Sequence, residues 1–500
     1  MADKDEKISE EKPASEKAEG KKEKPAPKDN LVVTKHVVRI GGKEIKYTVT
    51  TGTMVLKEET ADREKEAEGE KPRAQVFFVA YTKDGEGSKA KRPITFSFNG
   101  GPGSSSVWLH LGVLGPRRVV MEEDGNLPKP PFQLVDNEYS LLDQTDLVFI
   151  DPMNTGYSRP VEGVKPKEWH GFKKDIQSVG DFIRLYTTRI NRWLSPKFLI
   201  GESYGTTRAA GLSGYLQERH GMYLNGIMLI SSVLDFTTVD FNLNNDLPYI
   251  LYLPGYTATA WYHNVLQPHR PLQTWLKEAE EFALGDYARA LLKGDGLTAE
   301  EREQIVEKLA IYTGVSKQFV ERSKLRINDQ HYFKELLRER GLTVGRLDSR
   351  FTGRDRLGVR EHAEYDPLLT NVMGPYTAGF YDYIRSELKF ESDLSYEVLS
   401  EFVHPWSYAE FENQYLNVGE TLRKAMTFNP YLKVFVANGY YDLGTPYFAT
   451  EYTFDHLGLD ENLRENISME YYEAGHMMYI HLPSLRQMKK DLVNFIKSAI

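Results

Sequence analysis

The chain has 500 residues, 40% of them hydrophobic, and is long enough to bury a large core and to carry an insertion. Its formal net charge is −9, and no basic stripe with interleaved aromatic residues occurs, which argues against nucleic acid as a partner. The sequence contains no cysteine, which excludes disulfides, thiolate metal sites and a cysteine nucleophile.

The N-terminal segment is rich in Lys, Glu, Ala and Pro and lacks hydrophobic periodicity, so we predict a disordered charged tail over residues 1–30. It has no apolar stretch typical of a signal peptide, and no run in the chain is long enough to cross a bilayer. We therefore expect no integral membrane segment. Localisation stays open: a periplasmic or secreted protein is expected if a signal peptide has been removed, and the cytoplasm remains an alternative.

Strand patterns dominate the next part of the chain. The runs LVVTKHVVRI and EIKYTVTTGTMVL alternate on either side of Gly41-Gly42, which predicts an antiparallel hairpin, and AQVFFVAYT adds another strand. Short apolar runs that end in glycine or acidic turns follow, namely ITFSFNGG, DLVFIDP, KFLIGES, GIMLISS and KVFVANG. Such runs, separated by helical patterns such as DIQSVGDFIRLYTTRI, are typical of buried strands in a largely parallel sheet. The fold class is therefore predicted as α/β.

Helical patterns replace the strands between about Asp235 and Asn429, and Thr298 with Glu301 forms a predicted capping box. Because the strand KVFVANG resumes afterwards, this block is predicted to be a mainly helical inserted lid. The predicted organisation is a tail over 1–30, a first core part over 31–235, a lid over 236–429 and a second core part over 430–500.

The segment Gly201-Glu202-Ser203-Tyr204-Gly205 follows the strand KFLI and opens a helical stretch. This is the context in which G-x-S-x-G forms a nucleophile elbow, because the glycines allow a tight turn that pushes the serine hydroxyl above the sheet. The pattern alone is weak evidence, since about one in five chains of this length would contain it by chance. The strand before it and the helix after it strengthen the interpretation.

Three further features accompany the elbow. The segment from Asn99 to Gly103 follows the strand ITFSF, where an α/β-hydrolase supplies its second oxyanion donor, although Gly-Pro-Gly clusters also mark ordinary turns. Asp442 follows the strand KVFVANG, and His476 follows ISMEYY. A lone Asp or His in a loop is usually just solvated. However, the chain order Ser, Asp, His, each beyond a late strand, is the order of an α/β-hydrolase triad.

The segments FNGGPGSSS, GESYG, NGYYDLGTP and EAGHMM together resemble the signature segments of the serine carboxypeptidase family, and VFIDPMNTGYS is similar to another. The resemblance extends from about Pro93 to His476 and is weakest in the helical block. It implies an α/β-hydrolase fold with a mostly parallel central sheet and a helical lid. Because the family's usual cysteine is replaced by Ser104, the disulfides of the eukaryotic relatives are absent, and we expect a bacterial-type member.

The resemblance also implies the role of each site residue, with no metal or cofactor. The implied assignments are Ser203 as nucleophile, His476 as base and acid, Asp442 as orienting carboxylate, the N–H groups of Gly101 and Tyr204 as oxyanion hole, and Asn99, Gly100 and Glu202 as binders of the substrate's C-terminal carboxylate. A glutamate that faces a carboxylate must be protonated to donate a hydrogen bond, so binding should weaken as pH rises. The alternative is that Glu202 merely packs beside the elbow.

One position departs from the family pattern. Relatives commonly carry a second glutamate where this chain has Val113, so part of the carboxylate clamp is missing. Arg117, Arg118 or Arg208 could compensate, since guanidinium pairs with carboxylate in a bidentate manner, although each also fits an ordinary structural role.

The sequence thus predicts a serine carboxypeptidase that removes C-terminal residues from peptides with a free C-terminal carboxylate through an acyl-enzyme. An acyltransferase or a hydroxynitrile-lyase-like enzyme on the same scaffold is one alternative, because fold and triad do not fix the substrate. A catalytically silent binding protein is the other.

Overall fold

The computed structural model of the chain describes residues 26–59, 69–85 and 91–500. The predicted tail lies outside the described residues up to residue 25. Just before β1 the chain contacts the body of the protein, because the Asp29 carboxylate accepts a hydrogen bond from Val55 N at 2.8 Å. None of the helices in the described ranges is both long and apolar enough to span a membrane.

Strands and helices alternate along most of the chain. The strands are β1 Asn30–Ile40, β2 Lys43–Glu59, β3 Glu70–Lys83, β4 Ile94–Phe98, β5 Arg117–Val119, β6 Leu134–Asp136, β7 Asp146–Ile150, β8 Arg159–Pro160, β9 Lys197–Ser203, β10 Gly226–Ser232, β11 Thr343–Val344, β12 Thr352–Gly353, β13 Lys433–Gly439 and β14 Ile467–Tyr472. The helices are α1 Val107–Leu109, α2 Phe172–Arg189, α3 Tyr204–His220, α4 Leu247–Tyr262, α5 Leu272–Phe282, α6 Ala288–Lys293, α7 Ala299–Thr313, α8 Lys317–Arg322, α9 Asp329–Glu335, α10 Pro367–Asp382, α11 Gly419–Phe428, α12 Tyr447–Asp455, α13 Glu461–Arg464 and α14 Leu482–Ser498.

A central sheet organises the molecule. Its strand order is β1-β2-β3-β7-β4-β9-β10-β13-β14, with β8 paired to β3. The pairs from β7 to β14 are all parallel, whereas β1, β2, β3 and β7 pair antiparallel in succession. The predicted hairpin is confirmed, because β1 and β2 pair antiparallel about Gly41-Gly42. The parallel strands end at one common edge, which is where ligands bind in open α/β sheets.

Helices cover both faces of the sheet, as their sequence periodicity requires. On one face α2, α3 and α11 pack in an apolar cluster that includes Phe78, Phe182 and Leu216. On the other face α10 and α14 pack in a cluster that includes Phe149 and Tyr376. The sheet strands β4, β7 and β10 are buried along their whole length. Burial on both faces explains the unbroken apolar runs LVFI in β7 and IMLI in β10, whereas β4 alternates apolar residues with the buried Thr95 and Ser97.

The block predicted as a lid packs in two ways. Helices α4 to α9 share a third apolar cluster with Tyr441, Leu443 and Tyr447 of the second core part. Helix α10 belongs instead to a cluster on the sheet, and α11 to the cluster on the opposite face. The capping box at the start of α7 is confirmed, with both reciprocal hydrogen bonds between Thr298 and Glu301 present. The boundaries 236–429 stay a prediction.

Candidate active site

The GESYG segment forms a sharp turn between strand and helix. Strand β9 ends at Ser203 and helix α3 begins at Tyr204. Ser203 has φ 61° and ψ −132°, a conformation that costs a non-glycine residue about 1–3 kcal/mol. A Cβ atom on Gly201 would lie 2.1 Å from the carbonyl oxygen of Gly205, so the turn has no room for a side chain there. The serine therefore occupies the strained apex of a strand–turn–helix unit.

The loop after β4 lies against this turn. A Cβ atom on Gly100 would lie 2.5 Å from the backbone nitrogen of Tyr204 and 2.6 Å from the carbonyl oxygen of Glu202, so only glycine permits this approach. Gly101 has φ 102°, which also favours glycine. Neither the Gly101 nor the Tyr204 N–H donates a hydrogen bond to an acceptor in the described part of the chain. The structure thus brings together the two N–H groups that the sequence assigned to an oxyanion hole.

Asp442 and His476 follow the neighbouring strands β13 and β14 and are hydrogen bonded to each other. The distance from Asp442 Oδ2 to His476 Nδ1 is 2.7 Å, and both side chains are buried. The other Asp442 oxygen accepts from the N–H groups of Gly444, at 2.8 Å, and Thr445, at 3.0 Å. The Thr445 hydroxyl donates to Asp442 Oδ2 at 2.7 Å. These donors fix the carboxylate beside the imidazole.

The electrostatic surroundings favour a proton on His476. Burial lowers the pKa of His476, but the charge of Asp442 and its hydrogen bond outweigh burial, so the pKa is raised above its usual value. Nε2 of His476 makes no hydrogen bond with any described residue, and neither does the Ser203 hydroxyl. Strands β9, β10, β13 and β14 are consecutive neighbours, so Ser203, Asp442 and His476 lie at the same edge of the sheet.

Glu202 and Asn99 form a second buried polar pair next to the elbow. Glu202 Oε2 accepts a hydrogen bond from the Tyr479 hydroxyl at 2.7 Å. Burial raises the pKa of Glu202 to about 7, although the charge of His476 and the Tyr479 hydrogen bond lower it. Asn99 Oδ1 accepts from Leu109 N at 3.1 Å. The buried Asn99 Nδ2 lies near Glu202 but makes no hydrogen bond of normal geometry with any residue that the structure describes. An unpartnered buried amide of this kind offers a donor to a ligand.

The structure shows the surroundings of Val113 and of two arginines that could compensate for it. Val113 is buried in the apolar cluster around α10 and α14. Arg208 is fully buried, and its Nε donates to Asp175 Oδ2 at 2.8 Å while its Nη1 donates to the Asn99 carbonyl oxygen. Arg208 therefore supports the Asn99 loop through its hydrogen bonds to Asp175 and to the Asn99 backbone. Arg117 is likewise engaged, with carboxylates at 2.6 Å and 2.8 Å.

Several residues that position the site were missed in the sequence. Tyr479 lies three residues after His476, and its hydroxyl contacts Glu202. The Ser231 hydroxyl donates to the His476 carbonyl oxygen at 2.7 Å, and the Leu347 carbonyl oxygen accepts from His476 N at 2.7 Å. Ser231 has φ 54°, but a serine at the end of a strand gives no sequence sign of that. The contact of Leu347 is made by its backbone and is invisible in a sequence.

Comparisons with known proteins agree with this geometry. A family model described as serine carboxypeptidase matches residues 67–482. The pheromone-processing carboxypeptidase KEX1 of Saccharomyces cerevisiae is 33% identical over 162 residues, which make up 31% of this chain and 20% of KEX1. The serine carboxypeptidase-like protein 45 of Arabidopsis thaliana is 28% identical over 181 residues, or 34% of this chain and 36% of the plant protein. The alignments thus span a fifth to about a third of these relatives.

The crystal structure of KEX1, described as a prohormone-processing carboxypeptidase, is similar over almost the whole chain. It covers 90% of this chain and 91% of the KEX1 chain, with a TM-score of 0.56 and 16% sequence identity. This likeness shows that the fold is the predicted α/β-hydrolase fold. These relatives come from a yeast and a plant and give no support to the bacterial-type assignment.

Proposed function

Because this chain belongs to the serine carboxypeptidase family, we propose that it hydrolyses the last peptide bond of substrates with a free C-terminal carboxylate. The observation that carries the proposal is the buried Asp442–His476 pair at the sheet edge that also holds the Ser203 elbow. A serine hydroxyl is a weak nucleophile at neutral pH and needs an adjacent imidazole to take its proton. A buried carboxylate fixes the tautomer of that imidazole.

In the proposed reaction the Ser203 oxygen attacks the scissile carbonyl carbon while His476 Nε2 takes the hydroxyl proton. The negative oxygen of the tetrahedral intermediate accepts hydrogen bonds from the N–H groups of Gly101 and Tyr204, each worth about 10²–10³ in kcat. His476 then gives its proton to the leaving amine as the C–N bond breaks. Water, deprotonated by His476, hydrolyses the resulting ester, releases the shortened peptide and restores the hydroxyl of Ser203.

The exopeptidase specificity is assigned to Glu202, Asn99 and Gly100. A protonated Glu202 and Asn99 Nδ2 are both donors, and a peptide's C-terminal carboxylate supplies acceptors for them. A pKa of about 7 keeps the carboxyl half protonated near neutrality, whereas an ordinary glutamate would be ionised and would repel the substrate. With Val113 in place of a second carboxyl donor, one hydrogen bond to a charged group is missing, typically worth about 1.5–3 kcal/mol.

The helical insertion is proposed to cap the cleft. What supports this is the apolar cluster that joins α4 to α9 with Tyr441, Leu443 and Tyr447, residues that flank Asp442 in the chain. We also keep the predicted division into a tail, two core parts and a lid over 236–429 as part of the proposal. The assignment to a bacterial-type member rests on the absence of cysteine from all 500 residues.

The test is hydrolysis of an N-blocked dipeptide with a free carboxylate. We expect release of one free amino acid per blocked product, together with covalent labelling of Ser203 by an organophosphonate. Labelling without amino-acid release, but with transfer to an added alcohol or amine, would indicate an acyltransferase instead. Absence of both labelling and release would indicate a binding protein on a silent scaffold.

A further inference from the structure

A short segment of the insertion reaches the candidate catalytic residues. Residues Arg346–Arg350, which we call the brace, lie between β11 and β12 and hydrogen bond to the loops that carry Asp442 and His476. We infer that the brace holds the imidazole in its working orientation and that Asp348 is a positioning residue for it. This inference rests on the proposed function, because it assigns His476 the role of base.

The contacts to the histidine loop come from two brace residues. The Leu347 carbonyl oxygen accepts from His476 N at 2.7 Å, and Asp348 Oδ2 accepts from Gly475 N at 3.0 Å. A Cβ atom on Gly475 would lie 2.4 Å from Asp348 Cβ, so the brace and the loop approach as closely as backbone allows. Two consecutive N–H groups of the loop are thereby fixed at the residue that must align with Ser203.

The same segment also fixes the aspartate loop. Leu443 N donates to the Arg346 carbonyl oxygen at 2.9 Å, and Ser349 N donates to the Tyr441 carbonyl oxygen at 2.9 Å. These bonds flank Asp442 on both sides. The brace therefore sets the relative position of the two loops that carry Asp442 and His476, and not merely the position of one of them.

The brace can do this because it is anchored firmly at its other side. Asp366, the N-cap of α10, accepts from both Arg346 N and Leu347 N at 3.0 Å. The Ser349 hydroxyl contacts the Thr259 hydroxyl of α4 at 2.7 Å. Helices α4 and α10 belong to different apolar clusters, so the brace is anchored to two separately packed groups of helices.

Asp348 and Arg350 are the brace side chains that contact the histidine loop, and they balance each other's charge. Asp348 is completely buried, and the Arg350 guanidinium pairs with both of its oxygens, at 2.9 Å and 2.7 Å. Arg350 Nη1 also donates to the Glu473 carbonyl oxygen at 3.2 Å, in the same loop. Removing the Asp348 carboxylate takes away both the Gly475 bond and this ion pair.

A buried carboxylate with the same kinds of partners lies at the other end of the sheet. Asp146, the first residue of β7, accepts from Lys83 N at 3.1 Å and pairs with Arg192 at 2.6 Å. The candidate site lies at the carboxyl ends of the parallel strands, so Asp146 is a control for loss of a buried ion pair away from that site.

Asp348 and Asp146 give matched variants for the test. Asp348→Ala and the similarly shaped Asp348→Leu remove the acceptor for Gly475 N, whereas Asp146→Ala breaks a buried ion pair away from the site. We expect the Asp348 variants to lower kcat about 10- to 100-fold, as misplacement of a catalytic group does, with little change in KM. The rate of Ser203 labelling should fall by the same factor. Asp146→Ala should keep kcat and the labelling rate near the wild-type values despite a lower melting temperature.

The outcomes separate the two proposals. If the wild-type protein neither hydrolyses the dipeptide nor reacts with the probe, the proposed function fails. If the wild type is active and kcat falls equally in Asp146→Ala and the Asp348 variants, loss of stability explains the effect and the positioning role is wrong. Unchanged kcat in Asp348→Leu and Asp348→Ala would also overturn it. Should Asp348→Ala not fold, as judged by circular dichroism, the comparison of Asp348→Leu with Asp146→Ala decides in the same way.

Discussion

Replacing Glu202 by glutamine should remove a pH dependence that the structure predicts for binding of the substrate carboxylate. Burial raises the pKa of Glu202 to about 7, so roughly nine-tenths of the molecules carry the proton at about pH 6 and roughly one-tenth at about pH 8. Only the protonated form donates to a carboxylate. Between these two pH values kcat/KM for an N-blocked dipeptide acid should therefore fall about tenfold relative to the matched dipeptide amide.

The ratio of acid to amide is the quantity to measure, because the titration of His476 affects both substrates equally and cancels. In Glu202→Gln the amide group donates at every pH, so the ratio should be flat. Glu451→Gln is the matched control: burial raises the pKa of Glu451 to about 7 as well, but its hydrogen bond goes to Tyr471. That variant should keep the wild-type slope. Identical pH profiles for acid and amide in the wild type would refute the protonated clamp.

The remaining predictions concern the nucleophile, the oxyanion loop and stability. Ser203→Ala should lower peptidase turnover by several orders of magnitude, whereas Ser213→Ala, which replaces a buried serine of α3, should retain it. EDTA should have no effect on turnover. Near-normal turnover of Ser203→Ala would contradict a serine mechanism. Gly100→Ala places a Cβ atom 2.5 Å from a backbone nitrogen of the elbow and should lower kcat by a factor of about 10²–10³. Gly285→Ala, whose Cβ atom would enter open space, should leave kcat unchanged. Equal kcat values in the two variants would argue against the close approach of the loop. Because the pKa of Glu451 is raised from 4.5 to about 7, its protonated form is favoured in the folded state, so its contribution to the free energy of unfolding is present at low pH and lost as pH rises through that window. Urea titrations should show this loss, of at most about 3 kcal/mol, and Glu451→Gln should show a smaller one; an unchanged slope in the variant would reject the assignment.

Much of the sheet could be predicted because its strands have distinctive sequences. The runs that became β7 and β10 are apolar on both faces, and each ends in a turn that the sequence marks with a polar residue. The amphipathic spacing was also sufficient to predict helix α2 and its buried face. The residues at that spacing are all buried, namely Ile176, Val179, Phe182, Ile183 and Tyr186. Local pattern and tertiary burial agree in these elements.

The helical insertion could not be resolved into its two packing units from sequence. Helix α10 contains Gly374 and Pro375 and resembles the insertion's other helices in composition, yet its apolar residues pack on the sheet. Which apolar surface a helix covers depends on the path of its connections, and periodicity does not encode that. The brace was missed for a related reason, since its hydrogen bonds to the Asp442 loop and to His476 N are made by backbone groups, which leave no pattern of side chains.

The candidate site contains some features that the sequence shows and others that it does not. The elbow and the loop after β4 depend on Gly100, Gly201 and Gly205, whose absence of side chains is visible in the sequence. The clamp depends on the burial of Glu202 and on Tyr479, and neither the depth of a side chain nor its partner 277 positions away follows from a motif. Sequence therefore indicated which residues meet, while the structure supplied the electrostatic surroundings that give them their protonation states.

The pairing of β10 with β13 determines when the proposed active site can assemble during synthesis of the chain. These strands are neighbours in the sheet, yet the chain leaves at Ser232 and returns at Lys433, about two hundred residues later. Closing so long a loop costs about 3 kcal/mol more entropy than closing one of about ten residues, but folding of the intervening helices first would shorten the effective loop. A nascent chain that has not yet emerged beyond the insertion has its nucleophile but neither aspartate nor histidine. On the proposed function the chain therefore lacks a complete triad during most of its synthesis, because Asp442 and His476 join Ser203 only when β13 and β14 pair with the sheet.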